Sequence, residues 1–110
     1  MSSTDAWGQV PAAWERASGA IAVARERGWT WQARPAGSAA PHELLGRRTT
    51  ATHDDVVVIE AGKDPMQAIG ARFAPGDWGT PGTVPLRGPV TGAPDEVLFT
   101  VLGWAGEDTP

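Results

Sequence analysis

The chain contains no cysteine and no tyrosine, a single lysine, and few large aliphatic side chains. Without cysteine there is no disulfide framework, no thiolate-bound zinc or iron–sulfur centre, and no cysteine nucleophile. Leu, Ile, Val and Phe make up 19 of the 110 residues. That is about 17%, and a value below roughly 20% warns of disorder when net charge is also high. The net charge is −4, so the warning is partial. A length of 110 residues fits one domain.

Six tryptophans offset part of the aliphatic shortage, since each buries on the order of 150–250 Å². Ala, Gly, Pro and Arg, the types encoded by G/C-rich codons, supply 50 residues, which points to a bacterial or phage genome of that composition. Thirteen acidic residues face nine basic ones and the pI is near 5.0. Phosphate backbones and anionic lipid should repel such a chain, so neither nucleic acid nor membrane is expected as a partner. The doublet Arg47-Arg48 falls short of a basic face and reads as a solvated turn. Reading from Met1, no basic start precedes an apolar run, and no run nears about 18 apolar residues. Neither a secretion signal nor a membrane span is expected, and a cytoplasmic setting follows by elimination.

Residues 1–9 read as a flexible N-terminal arm in which Trp7 is the one large side chain. From Pro11, Val10, Trp14, Ala17, Ile21 and Ala24 recur at helical spacing. Gly28 follows as a left-handed stop, which predicts a helix over 11–27. The run 29–34 alternates apolar and polar residues and reads as a strand with Trp29, Trp31 and Ala33 on one face. Together with Trp14, the first two are core candidates. Residues 42–46 suggest a helical turn and 49–52 a short strand. Four β-branched residues, Val56-Val57-Val58-Ile59, predict a central strand buried on both faces, as in parallel or mixed sheets. Asp64-Pro65 and the spacing of Met66, Ile69 and Phe73 predict a helix over 65–74 whose Gly70 marks a close approach. The apolar run 97–102 reads as a buried strand, with a helix begun by Asp95 as the alternative.

The expected fold class is α+β: two helices on one face of a small three- or four-stranded mixed sheet, with a long Gly/Pro-rich loop. A single domain is expected over 10–104, followed by a polar tail at 105–110. The order helix, strand, strand, strand, helix over 11–74 resembles that of the double-stranded-RNA-binding domain. However, the lysine cluster that such domains place at their second helix is missing.

The densest titratable group is His53-Asp54-Asp55, with Glu60 and the pair His42-Glu43 elsewhere. His and carboxylates are metal and acid–base residue types, but the two histidines have no helical relation. A solvated acidic turn is the plainer reading. Ser38 lacks the flanking glycines of a nucleophile elbow. The 60–65 turn carries one Gly and one Lys, with Asp64 where a phosphate would sit. No cofactor is expected.

Half of the residues in 75–94 are Gly or Pro. Loops of that length are uncommon in compact domains and are often functional. Trp78, next to Asp77, either docks on its own domain or serves as a partner anchor, and Trp7 and Trp104 pose the same choice. The leading expectation is a small acidic, non-enzymatic protein-interaction module, an accessory or phage-encoded factor. It would bind a host or self partner through Trp78, Asp77, Trp7 and Trp104. The alternatives are a metal- or ligand-dependent enzyme using His53, Asp54 and Asp55, and an oligomeric virion-type component.

Overall fold

The computed structural model describes residues 12–35, 42–63 and 65–107. The expected arm, with Trp7, lies outside the described residues. Helix α1 spans Ala12–Glu26 and buries Ala17, Ala20, Ile21 and Ala24 along one stripe. It ends in a Schellman cap: Trp29 N donates to Ala24 O at 3.1 Å and Gly28 N to Arg25 O at 3.1 Å, with Gly28 at φ +92°. The cap turns the chain into strand β1, Thr30–Arg34. Strands β2 (Glu43–Thr49), β3 (Asp54–Glu60), β4 (Gln67–Phe73) and β5 (Arg87–Gly92) follow, and helix α2 (Pro94–Glu107) closes the fold.

The five strands form one sheet in chain order, every neighbouring pair antiparallel. This corrects the expected three- or four-stranded mixed sheet, while the α+β class holds. The β-branched run 56–59 does lie in the central strand β3. Its neighbours reach it through short hairpin connections, which make antiparallel pairs, and no crossover helix intervenes.

Several local expectations are overturned with it. The 65–74 segment is strand β4. Its Ile69 and Phe73 lie four residues apart, a spacing that suits one face of a strand as well as one face of a helix, and pairing along all of β3 decides between them. The double-stranded-RNA-binding element order fails with that helix. The 97–102 run is helix, not strand. Pro94 and the acidic Asp95 and Glu96 form its first turn, and Val97, Leu98, Val101 and Leu102 turn inward while Phe99, Thr100 and Gly103 face out. Its length carries it to Glu107, through the first residues of the expected tail. The turn at 42–46 and strand at 49–52 are replaced by the single strand β2. The end of the expected Gly/Pro-rich loop, 87–92, is strand β5 on the sheet edge, where Pro89 needs no ladder partner.

Helix α2 packs against β3, β4 and β5, and α1 packs against α2. The core between them contains Ile21, Trp29, Val57, Ile59, Leu98, Val101 and Trp104. Two strand glycines make room for large groups. A Cβ on Gly70 would lie 2.7 Å from Val101 and 3.0 Å from Val97, so Gly70 lets α2 settle on the sheet. A Cβ on Gly46 would lie 2.5 Å from the Trp31 ring. Trp31 occupies that hollow and stacks on Trp29, ring centroids 6.1 Å apart. Of the candidate core tryptophans, Trp29 is buried, and Trp14 and Trp31 are half-buried.

Overpacking a core typically costs about 1–3 kcal/mol, and about 1 kcal/mol shifts the midpoint of a domain this size by roughly 4–8 °C. Gly46→Ala and Gly70→Ala should therefore each lower the thermal midpoint by about 5–15 °C in a circular dichroism melt. An unchanged midpoint would show that neither contact is tight.

Candidate functional site

Alternation along the strands divides the sheet into two faces. One carries Val57, Ile59, Ala68 and Gly70 beneath α2. The other carries Leu45, Val56, Val58, Ile69, Ala71 and Phe73, and no helix among the described residues covers it. What covers part of it is the 74–86 segment.

That segment is ordered by three consecutive turns. Asp77 N donates to Ala74 O, Thr80 N to Asp77 O and Thr83 N to Thr80 O, at 3.0, 3.1 and 3.2 Å. The third residue of each turn is a glycine, Gly76, Gly79 and Gly82, at φ +79°, +82° and +82°. These are the bonds and the positive φ of type II turns, which favour proline at the second position. Pro75 and Pro81 hold it in the outer turns, and Trp78 holds it in the middle one. The sequence repeats every three residues as Pro-Gly, Trp-Gly, Pro-Gly, a signal present in the chain that composition counting missed. Asp54 Oδ2 accepts from Gly76 N at 2.9 Å and ties the first turn to β3.

Half-buried Trp78 stands between two hollows. One, of about 290 Å³, is an apolar groove lined by Val56, Val58, Ile69, Gly70, Ala71, Phe73, Trp78, Thr83, Pro85 and Pro89. The other, of about 100 Å³, is lined by Thr30, Gln32, Leu45, Arg47 and Trp78. The Arg47 guanidinium carbon lies 5.6 Å from the centre of the Trp78 ring, within cation–π range. Arg47, expected in a solvated turn, sits within β2, and that strand brings it to Trp78.

The other expected site residues are dispersed. Asp77 is exposed in the turns beside Trp78. Trp104 is 3% exposed and belongs to the core. The Arg72 and Arg87 guanidiniums lie 5.8 and 4.9 Å from its ring centre. Trp7 is outside the described residues.

Asp54 does not join His53 and Asp55, which approach each other. Asp54 is turned to the loop side and Asp55 to the helix side, where Arg72 Nε and Nη2 reach its two oxygens at 2.7 and 3.1 Å. Asp55 is 1% and Arg72 7% exposed, so this is a buried bidentate pair. His53 Nε2 lies 3.7 Å from Asp55 Oδ2 and its Nδ1 2.9 Å from Thr52 Oγ1. His42 is at the opposite end of the sheet, where its carbonyl accepts from Gly62 N. The length of β3 separates it from His53, about 20 Å at roughly 3.3 Å per residue. Among the described residues no group of three His, Cys, Asp or Glu side chains converges for a metal. No described helix is long and apolar enough to cross a membrane. The chain matches no protein-family model, no curated protein and no solved structure.

Removing one partner of a buried ion pair costs about 3–5 kcal/mol, whereas replacing both with apolar groups is often neutral. Asp55→Asn should lower unfolding free energy in urea by about 3 kcal/mol, and the double variant Asp55→Leu, Arg72→Met should recover most of it. Equal losses in the single and double variants would contradict the pairing. Because Asp54 and Asp55 diverge, millimolar zinc or manganese should leave the thermal midpoint of the wild type within about 1 °C of its metal-free value, a shift near the resolution of such melts.

Proposed function

We propose that this protein is a non-enzymatic interaction module that holds an apolar segment of a protein partner in the groove beside Trp78. The groove itself carries this reading: a concave surface walled by Trp78, Pro85 and Pro89 and floored by Val56, Val58, Ile69 and Ala71. None of its lining side chains ionises, so it offers no general acid or base. Ile69 is 41% exposed on its floor, and Val84 and Leu86, at 80% and 61%, stand on the segment leading into β5. Grouped exposed apolar residues of this kind mark interaction surfaces.

Size favours a side-chain anchor over a large ligand. Clefts for drug-sized molecules span roughly 300–1,000 Å³, and about 290 Å³ lies at the bottom of that range. One or two bulky side chains of a partner would fill it. The turn repeat holds the wall before binding, which reduces the ordering entropy lost on association.

Capture from a lysate of the native host, followed by calorimetry on the purified partner, tests the reading. Trp78→Ala and Ile69→Lys should each weaken the partner at least about tenfold, as expected for a desolvated anchor site, with the circular dichroism spectrum unchanged. A partner retained at full affinity by both folded variants would place the interaction elsewhere.

A further inference from the structure

The hollow on the other side of Trp78 shows what the anchor's neighbour should be. The Arg47 guanidinium lies over the indole and, among the described residues, no carboxylate lies within ion-pair distance of it. Arg34, on the neighbouring strand and the same face, has Glu43 at 3.8 Å, and buried Arg72 has Asp55. A guanidinium over an aromatic ring keeps its outer N–H donors able to take a carboxylate bidentately. The amide of Gln32 and the hydroxyl of Thr30 line the same hollow. Donors therefore stand on one side of the Trp78 ring and apolar carbons on the other.

We propose that both hollows form one site for an extended partner segment carrying a bulky apolar residue and, within a few residues of it, an aspartate or glutamate that pairs with Arg47. The inference rests on the interaction-module reading and goes further, because it assigns the partner's charge. Trp78 lines both hollows, and the Arg47 guanidinium carbon is 5.6 Å from its ring centre, so one short segment can reach both. The overall charge of −4 opposes an acidic partner at long range, but a Debye length of about 8 Å at physiological salt screens that repulsion more than it screens direct contact.

A random decapeptide display library, selected on the full chain, is the probe. The expected result is enrichment of peptides with a Trp, Phe, Leu or Ile within a few residues of an Asp or Glu. Synthetic copies should bind Arg47→Gln about tenfold more weakly, and selection on Arg47→Glu should replace the acid with Lys or Arg. Arg47 is exposed within β2, and the melt of each variant checks that it folds. Enriched peptides that Ile69→Lys abolishes, but that lack the acid or bind Arg47→Glu equally well, overturn the charge assignment and leave the module standing. A selection that no groove variant affects overturns both.

Discussion

Two adjacent carboxylates on the central strand face opposite sides of the sheet, and each fixes the contacts of a different layer. The pleat sends Asp55 toward the helices, where it pairs with Arg72 on β4, and the Arg72 guanidinium lies over the buried ring of Trp104 on α2. It sends Asp54 toward the open face, where it accepts the Gly76 N–H and fixes the first of the three turns. One peptide unit on β3 thus couples the helical layer to the loop that bears Trp78. The same alternation explains why Asp54 does not join His53 and Asp55 despite adjacency in sequence. Neighbours on a strand share a backbone but not a face.

Legibility in the sequence followed the clarity of the period. The stripe of α1 and its Gly28 stop were readable because helix spacing and cap chemistry agree there, and the strict alternation of 29–34 made β1 equally plain. The 97–102 run is ambiguous because five apolar residues and one threonine in succession satisfy either period; Phe99 and Thr100 face outward only because α2 has a sheet beneath it. Segment 65–74 was misread for a tertiary reason. Gly70 and Ala68 lower strand propensity, yet these small residues are what the close approach of α2 demands, so packing selected them against local preference. The site was less legible still. Trp78 stood out as an isolated aromatic, but its groove is floored by residues of β3 and β4, and Arg47 joins it from β2. None of those relations exists until the register is known.

The tryptophans divide by what surrounds them. Trp29 and Trp31 stack above β1 and β2, with Gly46 forming the hollow for Trp31. Trp104 fills the end of the helical layer beneath two arginines. These three supply volume that a chain short of Leu, Ile and Phe otherwise lacks. Trp78 is different. It is held on the open face by rigid turns, has a cation on one side and an unfilled apolar hollow on the other, and contributes little to the core.

An antiparallel sheet with one covered face normally carries polar residues on the other. At one end of the open face this rule holds: Arg34 pairs with Glu43, and Glu60 with Gln67, across neighbouring strands. It breaks toward the turns, where Leu45, Val58 and Ile69 lie in one row and Val56 and Ala71 in the next. Proline and glycine turns shield that apolar patch only in part, leaving Ile69 well exposed. In a chain with few large aliphatics, placing so many on a face that no described helix covers works against stability. Among the described residues, the departure coincides with an ordered loop that presents an aromatic wall, and the proposed partner site rests on that coincidence.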